Sequence, residues 1–488
     1  MQWHRGSIPP GRTKELQITI HHMLDQSFSA HNFDTIYSLE NRKGSVDIKM
    51  MPAEYQDLVD KIKECRAKIK ELKQKEDEIS IAELATKQTC LKQLQQDKTQ
   101  CLLDYLTQLS IDVNKPSFRF NLSKFLMSGK EVFTIDTTTH AAMFAVKQLQ
   151  YNIRQIFKVK QADRHFILTN IKTFLNSKIP VYVIRTDINS FFESIPQDRL
   201  LKMVLEDSLL NHKSKAFVKG IIKEYESIKD ATLVPTGKGV PRGVGISSYL
   251  SELYMRNLDR TISNRSEVLY FARYVDDIFI ILNSLPIDCS SLNDYYNHLL
   301  YDFKKEGLDL KPKDDPKCQL LDIYKKSDVA EITFDYLGYK FKLARKINIV
   351  SCRFALKDDK YDEIKTRIGN AFKHFEHLSV NNVRQAYKDL IDSLNYIADN
   401  IRLRGSKTGV KVGLYYSHDL LDDFGALDQL TAELRGFAIN PYNKLQGNAA
   451  LVGRLQAKVN RIDFKQRWID RKLRHYPLTR IQEMEGWL

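Results

Sequence analysis

The sequence predicts an α+β fold, an antiparallel sheet flanked by helices. Three observations carry that expectation. Val268 to Tyr274 and Ile278 to Leu282 are short, β-branched and aromatic-rich runs that read as two strands of a tight hairpin. Pro180-Val-Tyr-Val-Ile-Arg-Thr-Asp187 reads as a buried strand ending in an acid. Around these lie long stretches with apolar residues at gaps of three and four, over 52–109 and through most of the chain beyond Lys357.

In chain order, residues 1–22 are polar and broken by Pro9, Pro10 and Gly11, a loose extension that suggests an upstream start or an expression remnant. Met23 opens a more structured stretch, and a short helix ends near Gly44 with Arg42 and Lys43 in its last turn, where the macrodipole favours cations. From Pro52, the residues Tyr55, Leu58, Ile62, Cys65, Ile69 and Leu72 form a narrow seam on a charged rod. Ser80-Ile-Ala-Glu83 is a capping-box pattern, so a second helix starts there, with Leu84, Leu91, Leu94, Cys101 and Tyr105 on one face and Lys98 interrupting it. Residues 52–109 therefore read as an antiparallel helical hairpin whose charged flanks are either solvated or grip nucleic acid.

Phe118, Phe120 and Leu122 alternate, Val132 to Ile135 is strand-like, and helices follow from about Ala141 to Phe157 and Arg164 to Leu175. Lys147, Arg154, Lys158, Lys160 and Arg164 make this part basic; some suit a triphosphate or template backbone and most read as surface charges. In Gly237-Lys-Gly-Val-Pro-Arg-Gly-Val-Gly-Ile-Ser-Ser248, glycines 239, 243 and 245 allow close backbone approach to a base or sugar, and Ser247 and Ser248 are candidate caps for a helix over 249–258. A helix over 292–305, a lysine-rich loop over 307–317 and a strand and turn over 334–341 come next. Arg402, Arg404, Lys407 and Lys411, followed by Tyr415 and Tyr416, combine cations with aromatics as nucleic-acid binding does.

Composition is compatible with that partner. The 488 residues suggest two to four subdomains, and 75 Lys and Arg against 61 Asp and Glu leave a net charge of +14, which suits a polyanion. The six cysteines show no CxxC spacing and read as reduced, intracellular thiols rather than a disulfide frame or zinc site. No apolar run approaches membrane-spanning length and no signal peptide opens the chain, so the expectation is a cytoplasmic enzyme.

The chemistry is concentrated at Asp276 and Asp277. Two adjacent carboxylates inside an apolar hairpin repel one another unless a cation joins them, and oxygen ligands of this kind select hard divalent ions. A two-metal site needs carboxylates from separate strands, which makes Asp187 the natural partner of Asp276. Taken alone, a solvated Asp-Asp turn and an Asp serving as a helix cap are the commoner uses of such residues.

Together these pieces resemble a reverse transcriptase. Phe-Ala-Arg-Tyr-Val-Asp-Asp (271–277) is similar to the family's catalytic hairpin, Thr186-Asp-Ile-Asn-Ser-Phe-Phe192 to its first catalytic strand, and Gly239-Val-Pro-Arg-Gly243 with Ser247-Ser and Leu253-Tyr-Met255 to its template and nucleotide loop. Tyr336-Leu-Gly338 resembles the primer-grip strand. The resemblance covers roughly 116–345 and implies a right-hand polymerase: N-terminal extension and short helix (1–50), helical hairpin (51–110), helical fingers with an antiparallel palm (111–345), and a helical thumb and C-terminal region (346–488). Arg242 stands where the family usually carries Gln. That form resembles bacterial antiphage and abortive-infection reverse transcriptases, and Gln-Ser-Phe-Ser near the start with Glu-Asn-Arg-Lys-Gly after it looks like the first polymerase of the third type of defence-associated system.

The resemblance implies two Mg²⁺ ions per active site, with Mn²⁺ as an alternative, held by Asp187, Asp276, Asp277 and the carbonyl of Ile188. Asp277 is expected to be the less direct ligand, because adjacent strand residues face opposite ways. Phe192, Arg242, Gly243 and Tyr274 would meet the deoxynucleoside triphosphate. Phe192 would exclude a ribose 2′-hydroxyl and Phe191 would belong to the core. Lys317 or Lys313 is a candidate acid for the leaving pyrophosphate. Implied partners are a noncoding RNA template, a DNA product, repetitive in sequence, and a companion reverse transcriptase in an oligomeric complex in a bacterial cytoplasm, with no membrane. The rivals are an RNA-dependent RNA polymerase, which would want a small or polar residue at 192, and a catalytically silent RNA-binding scaffold, which would have lost an acid. A coiled-coil structural protein explains 52–109 and nothing else.

Overall fold

The computed structural model describes residues 24–43, 46, 51–74, 78–127, 129–137, 139–177, 179–323, 332–346, 349–403, 410–444 and 449–488. The expectations for residues 1–22, Met23, Gly44, Arg404 and Lys407 fall outside these.

Helices α1 (Ala30–Lys43), α2 (Ala53–Leu72) and α3 (Glu78–Asn114) come first. The seam expected on α2 is real: Tyr55, Ile62, Cys65 and Leu72 are buried. The two long helices run antiparallel, since Cys65 Sγ donates to Lys87 O while Tyr55, ten residues earlier, lies under Lys98. Lys98 does not break the stripe, because its ammonium sits 5.5 Å from the Tyr55 ring centre. One expectation fails at the border near 110. The helix α3 continues to Asn114, and Leu102, Leu106, Leu109 and Val113 share one buried cluster with Phe33, Tyr55 and Phe144. The hairpin is rooted in the body that follows it, because its last turns are apolar on the side that meets that body.

Next come β1 (Leu122–Met127), β2 (Lys130–Ile135), α4 (His140–Phe157), α5 (Arg164–Leu175), β3 (Tyr182–Asp187), α6 (Phe191–Ser194), α7 (Gln197–Leu205), α8 (His212–Ile228), α9 (Gly245–Ser263), β4 (Val268–Tyr274), β5 (Asp277–Leu282), α10 (Leu292–Lys305) and β6 (Gln319–Asp322). The palm is an antiparallel sheet in the order β4-β5-β3-β6. Its central strand β5 is buried on both faces, which is why it reads as an unbroken apolar run. Ile278, Ile280 and Leu282 join the core under α4, α8, α9 and α10, whereas Phe279 and Ile281 join a second core.

That second core is built by the meander β7 (Ile332–Tyr336), β8 (Tyr339–Lys346) and β9 (Ile349–Leu356), with α5 and the helices beyond. Phe334, Tyr336 and Phe341 surround Phe279 at ring-centre distances of 6.0, 5.0 and 6.4 Å. The expected border at 345 falls just before the end of β8, whose partner β9 lies beyond it. The remainder is α11 (Asp358–Ser379), α12 (Val383–Ala398), β10 (Asn400–Arg402), β11 (Lys411–Val412), α13 (Leu414–Ser417), α14 (Gly425–Lys444), α15 (Ala449–Asn460), α16 (Phe464–Ile469), β12 (Leu473–Arg474) and α17 (Leu478–Glu485). The small sheet β11-β10-β12 within it has no sequence signal, because its strands are too short to show a period. Among the described residues, no helix is long and apolar enough to cross a membrane.

Candidate active site

The hairpin β4–β5 turns through two residues, Val275 and Asp276, between the paired Tyr274 and Asp277. Val275 has φ +60°, a conformation that suits glycine and costs a β-branched residue about 1–3 kcal/mol. Arg273 opposes that strain. Its buried guanidinium donates to Val275 O at 2.8 Å and is neutralised by Glu252 and Asp259 of α9 at 2.8 and 2.7 Å. Sequence reading missed Arg273 as a positioning residue, although it lies inside the quoted motif. Its signal was a lone cation in a strand otherwise apolar or aromatic.

The turn is also tied to β3. Asp187 pairs in register with Asp277, and Ile188 N donates to Asp276 O at 3.0 Å. On the other side, Lys311 N donates to Asp187 O at 2.9 Å, and Tyr296 of α10 shares a 2.7 Å hydrogen bond with the Thr186 hydroxyl. Three carboxylates, from the end of β3, the start of β5 and the turn before it, are thus brought to one end of the sheet. Burial first, and the adjacent Asp187 charge second, hold Asp276 above the ordinary carboxyl range. Burial, then Asp276 and Asp187, push Asp277 up to about 6. Register puts Asp277 opposite Asp187, and the charges of both other acids reach it. Asp187 Oδ1 is buried without a hydrogen-bond partner, while Oδ2 accepts from Lys317 Nζ. An orphaned carboxylate oxygen beside two acids that resist ionisation is the donor set a hard divalent cation fits.

Lys317 therefore stands at Asp187 itself, and the carboxylates around it raise its affinity for the proton. Lys313 is exposed on the same loop.

Phe191 and Phe192 open α6. Phe191 is buried and Phe192 half-buried. The Arg242 guanidinium lies 5.2 Å from the Phe192 ring centre and forms a two-pronged ion pair with Glu193 at 2.8 and 3.0 Å. Glu193 was also missed. Its signal was the arginine in place of glutamine, since a half-buried fixed cation needs a carboxylate. Arg242, Glu193, Ser190, Tyr225 and Lys130 line a cavity of about 170 Å³ beneath the β1–β2 hairpin.

The glycine-rich loop departs from expectation. Cβ atoms at Gly239 and Gly243 would lie 2.6 Å from Tyr225 Oη and 2.6 Å from Val132, so the missing Cβ at each makes room for protein atoms. Phe133 N bonds Arg242 O at 2.7 Å, locking the loop to β2. Ser247 and Ser248 are not caps: α9 begins at Gly245 after Val244, and Ser247 Oγ donates back to Pro241 O.

Among the basic candidates, Arg154 and Lys160 are exposed at the end of α4 and just beyond it. Arg402 and Lys411 are exposed cross-strand neighbours, with Lys411 5.3 Å from the Tyr416 ring centre. Arg164 and Lys147 are not spare surface charges. Arg164 stacks on Tyr339 and donates to Leu337 O at 2.8 Å, holding the β7–β8 turn, and Lys147 pairs with buried Glu40.

Residues 114–341 match the family model described as reverse transcriptase (RNA-dependent DNA polymerase). This stretch thus carries a reverse transcriptase domain, built on an antiparallel palm flanked by helices. A search of the curated proteins gave no match. Solved structures similar to the chain include telomerase from Candida albicans in complex with a fragment of telomeric RNA, at 11% identity and TM-score 0.35, covering 69% of this chain and 64% of that one. Apo telomerase from Candida tropicalis is similar at 12% identity and TM-score 0.35, covering 76% and 67%. The chain spans less than two thirds of the first of these.

Proposed function

We propose that the chain is an RNA-directed DNA polymerase of bacterial antiphage defence, copying a noncoding RNA into DNA of repetitive sequence alongside a companion polymerase. The observation that carries the polymerase reading is the convergence of Asp187, Asp276 and Asp277 at the end of a sheet buried on both faces. The defence role, RNA template and companion rest on the resemblance of the motifs around Arg242 and near the chain start.

Asp187 and Asp276, with the Ile188 carbonyl, hold the metal, and Asp277 adds negative charge beside them. Bound magnesium supplies Lewis acidity to the primer 3′-hydroxyl and charge compensation to the triphosphate. Arg273 keeps the turn in its strained form, so the carboxylates need not reorganise during turnover. Lys317 Nζ delivers a proton to the departing pyrophosphate, with Lys313 its alternative. The Phe192 ring, backed by the Glu193–Arg242 pair, excludes a ribose 2′-hydroxyl by contact, and Tyr274 and Arg242 flank the nucleotide. Exposed Arg154, Lys160, Arg402 and Lys411 suit backbone phosphates.

The test is purification of the chain from bacteria, with sequencing of copurified RNA and newly made DNA. A discrete RNA and a DNA complementary to part of it, absent with Asp276→Asn, are expected. Magnesium-dependent RNA synthesis with deoxynucleotides rejected, or synthesis retained by Asp276→Asn, refutes the reading.

A further inference from the structure

We propose a second metal site, distinct from the polymerase centre, in which Asp288, Cys289 and His298 bind a borderline divalent ion such as Zn²⁺. It stands on geometry outside the catalytic reading. Cys289 Sγ lies 3.6 Å from His298 Nδ1, and that nitrogen lies 3.8 Å from Asp288 Oδ2. The three donor atoms all fall within 4.8 Å of one another. With Zn–S near 2.3 Å and Zn–N or Zn–O near 2.0–2.2 Å, the edges of a tetrahedral site are about 3.3–3.6 Å long. The two edges at His298 Nδ1 need at most about half an ångström of closure and the third, from Cys289 to Asp288, at most about 1.2 Å, which side-chain rotation of the exposed Asp288 supplies, and the exposure of Asp288 and His298 leaves the fourth position to water.

The scaffold is rigid. Cys289 N bonds Pro286 O at 3.0 Å. Ser290 and Ser291, which follow, are clamped to the first turn of α10 by Asp294, whose carboxylate accepts from both backbone amides and both hydroxyls. That carboxylate is thereby committed as a cap, while His298 projects from the next turns of the same helix. The thiol is buried, and after burial the charges of Asp288, Asp294 and Glu267 are what oppose its ionisation. This negative surrounding attracts a cation, and binding releases the thiol proton to solvent. A hydrogen-bonded Cys–His pair explains the shortest contact but not the carboxylate beside it.

The place in the fold separates this site from the catalytic one. Strand β5 starts at Asp277 and ends at Leu282, so the loop carrying Asp288 and Cys289 leaves the opposite end of the sheet, about 17–20 Å away at about 3.3 Å per residue. Nitrogen and sulfur donors select Zn²⁺ or Co²⁺ over Mg²⁺. The bound ion ties this loop to α10, the helix whose Tyr296 buttresses Thr186 beside Asp187.

The experiment is a Co²⁺ titration of the full chain, stripped with chelator and held in excess Mg²⁺ to fill the all-oxygen site. A thiolate-to-cobalt charge-transfer band saturating at one equivalent and displaced by Zn²⁺ is expected. Cys289→Ser should abolish the band, His298→Ala should weaken Co²⁺ binding by at least about tenfold, and Asp276→Asn should leave both unchanged. Absence of the band, its survival in Cys289→Ser, or its loss in Asp276→Asn overturns the proposal. If Cys289→Ser does not fold, the exposed substitutions His298→Ala and Asp288→Asn decide: an unchanged affinity in both refutes the site.

Discussion

Two buried acidic sites in this chain, one a single carboxylate and one a group of three, are handled in opposite ways. In the C-terminal region, the Asp399 carboxylate is fully buried and flanked by two arginines. Arg474 Nε donates to its Oδ2, and Arg467 Nη1 lies 3.1 Å from Oδ1, paired in charge though not aligned for a hydrogen bond. At the palm, three carboxylates share one end of the sheet with Lys317 as their close cation, and its side chain is 53% exposed. Fixed guanidinium partners make a cluster part of the architecture. A carboxylate group left short of positive charge, and met by a flexible lysine, keeps room for a cation that arrives from solution.

Substitutions should separate the two clusters. The largest effect is expected for Asp276→Asn, a loss of magnesium-dependent synthesis of about a thousandfold or more, with thermal stability unchanged or raised because a repelling charge is gone. Primer extension and thermal melting check both halves; lowered stability would place the palm acids with the structural cluster. Asp399→Ala should do the reverse. It leaves Arg467 and Arg474 without their carboxylate and costs about 3–5 kcal/mol of stability, read by denaturant unfolding, while the refolded fraction keeps its specific activity.

The clusters should also differ in their response to pH. Asp277 holds its proton in the folded state up to about pH 6, against 3.8 for the free side chain. The folded chain binds more protons in that window, so stability contributed by the protonated carboxyl is present below pH 3.8 and is lost as pH rises through about 6. The swing is on the order of 3 kcal/mol, and Asp277→Asn or added Mg²⁺ should flatten it. Unfolding curves of metal-free protein between pH 4 and about 7 measure it; an unchanged slope in Asp277→Asn assigns the effect elsewhere.

Smaller effects belong to the surroundings. Phe192→Ala should relax discrimination against ribonucleotides by about 10–200-fold, the scale of a lost packing contact, while Phe191→Ala lowers stability without changing sugar preference. Competition between matched ribo- and deoxynucleotides decides, and an unchanged ratio in Phe192→Ala moves the gate to another residue. Least of all, reversing the exposed charges of Lys68 and Lys70 on α2 and of Lys73 at its C-terminal cap should weaken RNA retention in a salt-dependent way. Retention that is identical across a salt series makes that face merely solvated.

Much of this was legible in the residues. The hairpin, the strand ending at Asp187 and the seam from Tyr55 to Leu72 are local patterns, set by side-chain period and length, and they reappear where the sequence puts them. The acids announced themselves because paired carboxylates between apolar runs are hard to explain otherwise. What the chain alone did not reveal depends on partners far apart in sequence. Glu193 meets Arg242 across 49 positions, Lys317 meets Asp187 across 130, and Arg164 meets Leu337 across 173. The packing need for Gly239 and Gly243 turned on which protein atoms stand opposite the missing Cβ. The sequence by itself therefore determined the elements and the identity of the reactive acids, since these follow from short-range period and charge. Tertiary packing alone decided which cations face those acids and which are spent elsewhere, because an ion pair is set by distance in space, and only the folded sheet brings Asp187, Asp276, Asp277 and Lys317 to the same corner.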